Sequence, residues 1–108
     1  TDIEHMVARS EAHDSGLCAA DDGTRSSFGS DLDNLTLASP SVNRYQKGAK
    51  DATDWLPTNN RCWFAATIVK VRLKYGLTID SLEAAALDEV LTNCTSLELE
   101  RPACASGT

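Results

Sequence analysis

The stretch DNLTLASPSVNRYQK, residues 33–47, decides how the first half of this chain folds. Leu35 and Leu37 alternate with polar neighbours, which predicts a half-buried strand over residues 34–38. Ser39-Pro40 is a typical helix entrance, with Ser39 as the N-cap and Pro40 in the first turn. The stretch therefore predicts a strand that runs directly into a helix, and Gly48 should end that helix.

A second short strand is expected at the start of the chain, where DIEHMV, residues 2–7, contains β-branched residues. Between the two strands, residues 10–16 predict a helical turn that Ser10 would cap and Gly16 would end. Residues 17–26 predict a polar loop with an Asp-Asp-Gly turn, and residues 26–33 a further helical turn. The order is thus strand, long connection, strand, helix.

Two longer helices are predicted in the second half. Residues 60–75 place apolar side chains at three- and four-residue steps and end at Gly76. Asp80 should cap a second helix over residues 81–93. The pair is expected to run antiparallel and to cover the first half, with an irregular tail over residues 95–108. The fold class is α+β in a single domain over residues 1–108, divided into 1–57, 58–94 and 95–108.

Four cysteines, an even number without zinc-site spacing, favour two disulfides and an oxidising compartment. Antiparallel helices would bring the start of the first helix to the end of the second, which makes Cys62–Cys94 the first choice and leaves Cys18–Cys104. Three pairings are possible on sequence alone. We expect a secreted, extracellular protein whose export signal either has been removed or lies outside this sequence, and no apolar run is long enough to span a membrane.

The net charge is −6, but the charges are unevenly distributed. Residues 44–74 hold seven basic side chains against two acidic ones, whereas both flanking segments are strongly acidic. The basic middle could bind an anionic partner despite the acidic total. For Lys70, Arg72 and Lys74, a solvated helix face is an equally good interpretation.

The predicted strands and helix bring Glu4, His5, Asn34 and Asn43 within reach of one another. Oxygen and nitrogen donors without a thiolate suit a hard divalent ion such as Mg²⁺ or Mn²⁺. A neutral imidazole near such an ion can take a proton from an attacking water. Each residue has an ordinary structural explanation when it is considered singly.

The chain resembles HNH (ββα-metal, His-Me finger) endonucleases in the residues of their motif. These are the pair Glu4-His5, then Asn34, and then Asn43 nine residues after Asn34, with Lys47 following it. The sequence after this motif is similar to one branch of the HNH family in particular. It reads KGAKDATDWLP, then RCWFA, then KYGLTID, and then a closing cysteine. That branch is related to the C-terminal nuclease domain of GmrSD-type restriction enzymes and includes small secreted proteins. The resemblance covers about residues 2–94 and implies a core of two short strands and a helix, packed by the helix pair.

The resemblance implies a role for each motif residue. His5 would be the general base, and Asn34 would bond across the loop and orient it. Glu4 and Asn43 would bind one Mg²⁺ or Mn²⁺ ion, with Asp2 helping through a water.

The same resemblance implies phosphate contacts from Arg44 and Lys47 on the helix. His13 has no counterpart in the motif, and Ala8 stands where the family often has a proline. The expected activity is a metal-dependent endonuclease that cleaves nucleic acid, DNA rather than RNA, with little sequence specificity. It would be a monomer that leaves 5′-phosphate and 3′-hydroxyl ends.

Two alternatives remain open on the sequence. One is a catalytically silent module on an HNH-like fold that binds nucleic acid or a protein. The other is a disulfide-stapled interaction protein without a site.

Overall fold

The computed structural model describes residues 1–99, apart from the side chain of Tyr45. It is a small α+β fold with a two-stranded antiparallel sheet, as the sequence predicts. In chain order the elements are β1 (Asp2–His5), α1 (Arg9–Asp14), a 3₁₀ turn (Leu17–Ala19), α2 (Asp22–Ser30), a second 3₁₀ turn (Leu32–Asn34), β2 (Leu35–Ala38), a π-helical segment (Ser41–Lys47), α3 (Arg61–Tyr75) and α4 (Ser81–Thr92).

The two strands pair in a register that sets Glu4 opposite Thr36 and His5 opposite Leu35. Side chains alternate between the faces of a sheet, so Glu4 and His5 point to opposite sides. Glu4 is only 4% exposed, whereas Ile3 on the other face is 66% exposed. The sheet therefore has one covered face, which carries Glu4, and one open face, which carries Ile3.

The π-helical segment forms where the sequence predicts a helix. The hydroxyl of Ser39 accepts a hydrogen bond from Val42 N at 3.2 Å, as expected of an N-cap. At the other end Gly48 has φ +51°, and its N–H donates to Asn43 O at 2.9 Å, a five-residue step. The wider π geometry was not predicted, and it commonly marks functional positions in helices.

The connection between the strands holds more helix than predicted. Residues 17–26 are not one polar loop, because a 3₁₀ turn is followed by α2 from Asp22 onwards. Asp21 Oδ1 accepts a hydrogen bond from Thr24 N at 2.7 Å, so Asp-Asp-Gly begins a helix rather than a turn. Phe28, 1% exposed, anchors this helix in the core. Ser10 lies inside α1 and does not cap it.

Helices α3 and α4 confirm the predicted pair. Asp80 Oδ1 accepts from Glu83 N at 2.8 Å at the start of α4, and Gly76 ends α3 with φ +61°. A disulfide joins Cys62 at the start of α3 to Cys94 after α4, so the helices run antiparallel and this pairing is confirmed. Cys104 of the second predicted bridge lies outside the described residues, as does the tail from residue 100 onwards. Cys18 is exposed and forms no disulfide within residues 1–99.

The core joins both halves of the chain. Met6, Val7 and Phe28 from the first half pack with Ile68 and Leu87 from the helix pair. The helix pair thus covers the strand–helix unit, as predicted. No helix within residues 1–99 is long and apolar enough to cross a membrane.

Candidate functional site

His5 is held by its ring on the α2 side of β1. Its Nε2 lies 2.8 Å from Gly29 O, and its ring stacks against Phe28 with centroids 6.4 Å apart. A carbonyl oxygen can only accept, so Nε2 carries the hydrogen and donates it. In the neutral imidazole, Nδ1 then keeps the lone pair. The structure thus holds His5 in the tautomer in which Nδ1 can accept a proton.

Asn34 fixes the backbone that leaves β1. It is fully buried; its Oδ1 accepts from Val7 N at 2.8 Å and its Nδ2 donates to Val7 O at 3.0 Å. Its backbone oxygen also accepts from Met6 N at 2.8 Å. These three bonds hold the two residues that follow His5. Asn34 therefore bonds across the loop, which is the position the sequence predicts for it.

Glu4 and Lys47 form a buried ion pair beneath the sheet. Lys47 Nζ lies 2.8 Å from Glu4 Oε1, and the two side chains are 1% and 5% exposed, respectively. The same ammonium donates to His5 O at 3.0 Å. Lys47 was predicted to contact a substrate phosphate, but this structure uses its charge to neutralise Glu4 and to tie down β1. Its ammonium does not face solvent, because its position on the segment points it under the sheet.

The second oxygen of Glu4 is the most informative atom of the site. Oε2 is the one buried side-chain polar atom in the described part of the chain without a hydrogen-bond partner. Burying a carboxylate oxygen without a partner is costly. A cation or an N–H donor at this position would remove that cost.

Asp2, Asn43 and Arg44 form a second group at the edge of the same face. Asn43 Nδ2 donates to Asp2 Oδ2 at 3.0 Å. Arg44 adds a two-point ion pair, with Nε 3.0 Å from Oδ2 and Nη2 3.2 Å from Oδ1. The hydrogen bond from Asn43, and then that from Arg44, lower the pKa of Asp2. The Asn43 amide oxygen accepts no hydrogen bond from the residues that the structure describes.

The structure therefore places the predicted residues close to the sheet and the π-helical segment, but in two groups on opposite sides of β1. The side chains of Asp2, Glu4, Asn43, Arg44 and Lys47 lie together on the covered side. The His5 ring points away from them toward α2. Arg44 was predicted to bind phosphate, and its side chain, 61% exposed, can still reach solvent from its ion pair with Asp2.

Two of these side chains carry oxygen atoms that a metal ion could use as ligands. Glu4 Oε2 and the Asn43 amide oxygen are oxygen atoms of the type that Mg²⁺ and Mn²⁺ prefer. Asp2 is less available because both of its oxygens face Arg44.

Sequence reasoning missed a buried charge cluster away from the sheet. Arg72, 5% exposed, lies 2.7 Å from Glu83 Oε1 and 3.3 Å from Glu11 Oε1. Oxygens of Glu11, Asp51 and Glu83 lie within 4.8 Å of one another. Burial raises the pKa of Glu83 despite the charge of Arg72. The guanidinium already supplies the counter-charge, so we interpret this cluster as structural.

Most of the basic side chains in residues 44–74 form ion pairs with acidic side chains of the same molecule. Four of the seven are in ion pairs: Arg44, Lys47, Arg72 and Lys74. Arg72 in particular is not on the solvated helix face considered above. Within residues 1–99 the basic side chains without an acidic partner are Arg9, Lys50, Arg61 and Lys70.

Comparison with known proteins gives one informative relative. The chain is 33% identical over 96 residues to an uncharacterized secreted protein of the fungus Arthroderma benhamiae. The match covers 86% of this chain and 47% of the relative, so the chain spans about half the length of that protein. No family model and no solved structure matches the chain. The secreted relative and the Cys62–Cys94 bridge confirm the predicted localisation: the protein is secreted.

Proposed function

We propose that the protein is a metal-dependent endonuclease of the HNH type, in which His5 activates water. The observation that carries the proposal is the pairing of two features on adjacent residues of β1. The Nε2–H of His5 is held by the Gly29 carbonyl, so the neutral ring carries its lone pair on Nδ1, and Glu4 has a buried oxygen without a hydrogen-bond partner among the described residues. Phosphodiester hydrolysis of this type needs a general base and a cation ligand, and two consecutive residues of β1 supply one of each, with their side chains on opposite sides of the strand.

Each of these residues would have its own role in the reaction. His5 Nδ1 accepts the proton of the attacking water, while the Gly29 carbonyl holds Nε2–H and favours the imidazolium that results. Asn34 keeps the backbone after His5 in place, and Lys47 keeps both the His5 carbonyl and Glu4 in place. Arg44, on the exposed edge, can exchange Asp2 for a phosphate oxygen of the substrate.

Glu4 and Asn43 would hold the divalent ion, which when bound would polarise the scissile phosphate and stabilise the leaving 3′ oxygen. Asp2 would assist through a water. The expected products are 5′-phosphate and 3′-hydroxyl ends.

The chain offers a matched test, because it contains only two histidines. His5→Ala should lower cleavage of DNA in the presence of Mg²⁺ by roughly 10²–10⁴-fold, the usual loss when a general base is removed. His13→Ala, on the exposed side of α1, should leave the rate within about twofold. Cleavage should stop in a chelator. Equal rates for the two variants would place the chemistry elsewhere.

A catalytically silent binding module is the second candidate. It is favoured by the ion pairs, since Arg44 and Lys47 already neutralise the two carboxylates Asp2 and Glu4. Calorimetric titration with Mn²⁺ separates the two functions: the nuclease requires binding that Glu4→Gln weakens, whereas the silent module requires none.

A further inference from the structure

Trp63, on the first turn of α3, stands between two clefts that flank the sheet. On one side it lines a cleft of about 330 Å³ together with Trp55, Phe64 and Glu4, which we term the aromatic cleft. On the other side it lines a groove of about 390 Å³ with Thr67, Lys70 and Leu35, which we term the lysine groove. Both volumes lie at the lower end of the range of ligand pockets, roughly 300–1,000 Å³.

The aromatic cleft reaches Glu4, the proposed metal ligand. Glu4, with its unpartnered Oε2, forms part of its wall. Trp55 packs edge-on against Phe64 at 5.6 Å, which fixes its ring, and both tryptophans remain half-buried rather than fully covered. Rigid, partly exposed aromatic rings are the surfaces on which unpaired bases stack. The cleft therefore offers a place for a base next to the phosphate that would be cleaved.

The lysine groove supplies a cation on the other side of Trp63. Lys70 is exposed and has no acidic partner within residues 1–99. Lys74 lies in the same groove but is bound to Asp31 at 2.7 Å and Asp33 at 3.1 Å. The groove thus has one uncommitted lysine, enough for a single phosphate contact.

The charge distribution argues against a duplex as the preferred ligand. Duplex DNA carries one charge per roughly 1.7 Å of its axis, and its binding depends on several cations that neutralise phosphates. This protein has net charge −6, and most cations of its basic middle are committed to ion pairs. A single strand has a lower charge density and gains affinity from stacking, which needs no cations.

We infer that the two clefts around Trp63 bind single-stranded nucleic acid, with an unpaired base stacked in the aromatic cleft and a neighbouring phosphate on Lys70. The inference rests on the proposed nuclease function for the class of ligand. It adds that the site prefers single strands over duplex.

Binding is measured without cleavage, in a chelator, by anisotropy of a labelled single-stranded DNA 12-mer and of the same 12-mer annealed to its complement. The single strand should bind at least tenfold more tightly. The chain has two tryptophans and both line the aromatic cleft, so the single strand should also quench intrinsic fluorescence. This comparison uses the unaltered protein and does not depend on a variant folding.

Variants then locate the contacts. Trp63→Ala should weaken binding of the single strand roughly 5- to 150-fold, which is the usual effect of losing one stacking ring. Trp63→Phe should recover part of that loss. Lys70→Ala should lower the slope of log affinity against log salt by about 0.7, the value for one phosphate contact on a single strand. Two variants serve as controls: Arg9→Ala removes an exposed cation outside both clefts, and Leu73→Ala removes an exposed side chain on α3. Both should leave the affinity for the single strand and its salt dependence unchanged.

The inference is overturned if the duplex binds as tightly as the single strand, if neither binds, or if the single strand leaves tryptophan fluorescence unchanged. Its failure is distinguishable from that of the nuclease proposal. Cleavage of duplex and single strand at equal rates would retain the nuclease and reject the preference. Tight single-strand binding without cleavage in Mg²⁺ would retain the clefts and reject the nuclease.

Discussion

Replacing Lys47 with methionine tests the most unusual feature of the site, the buried ion pair with Glu4. Methionine keeps most of the apolar stem, being one atom shorter than lysine, and removes the charged ammonium group with its three N–H donors. Glu4 would then be a carboxylate, 5% exposed, with neither oxygen opposite a cation. Breaking a buried pair on one side typically costs about 3–5 kcal/mol, because the remaining charge has no partner.

The effect should be visible in unfolding experiments. At roughly 4 °C per kcal/mol for a domain of this size, Lys47→Met should lower the melting temperature by about 12–20 °C. Arg44→Met, which removes an ion pair with a side chain 61% exposed, is the matched control and should cost no more than about 1 kcal/mol. Urea denaturation of both variants gives the same comparison as free energies of unfolding.

A double variant isolates the interaction. Glu4→Gln with Lys47→Met leaves no charge behind, so it should be clearly more stable than Lys47→Met alone. If Lys47 contacts a substrate phosphate instead, as the resemblance to HNH endonucleases implies, Lys47→Met should keep full stability and weaken only substrate binding. A loss of stability below about 1 kcal/mol would refute the buried pair and restore that role.

Three further outcomes are expected. Removing the Cys62–Cys94 bridge, which spans a sequence separation of 32, should cost about 3–4 kcal/mol of stability by loop-closure entropy, measured by urea denaturation of Cys62→Ser/Cys94→Ser. The Lys74 ion pair, with a tyrosine hydrogen bond, lowers the pKa of Asp31 to about 2; its stabilisation should be complete above the ordinary value of 3.8 and should be lost as pH falls through about 2. In Asp31→Asn, the free energy of unfolding should fall by about 1–2 kcal/mol less between neutral and acid pH than in the unaltered protein. The same pH dependence of unfolding in both proteins would contradict this role of Asp31. Asn43→Ala should lower Mn²⁺ affinity and cleavage together, and Asn43→His should shift the preference toward softer ions such as Ni²⁺ or Zn²⁺; Mn²⁺ affinity equal to that of the unaltered protein in Asn43→Ala would exclude Asn43 as a ligand.

Local signals in the sequence determined most of the secondary structure. Ser39 and Gly48 bound the π-helical segment, and Asp80 and Gly76 mark the ends of the helix pair, because caps and positive-φ glycines act within a few residues. The predicted antiparallel helices made Cys62–Cys94 the first choice among three pairings, and the structure contains this bridge. Asp21 shows the limit of such signals, since Asp-Asp-Gly fits a turn and a helix start equally well.

Only the tertiary structure decided what each charged and aromatic side chain does. Arg44 and Lys47 are three residues apart in one segment, yet the first is largely exposed and the second is buried against Glu4. Trp55 and Trp63 meet Glu4 in one cleft although nothing in their spacing indicates it. Burial and ion pairing depend on which surfaces distant segments bring together, and the sequence of one segment contains no information about its neighbours in space. The sequence by itself therefore determined approximately where the two strands, the π-helical segment and the helix pair lie, and the packing of the sheet against the π-helical segment and α3 decided which side chains are free to bind.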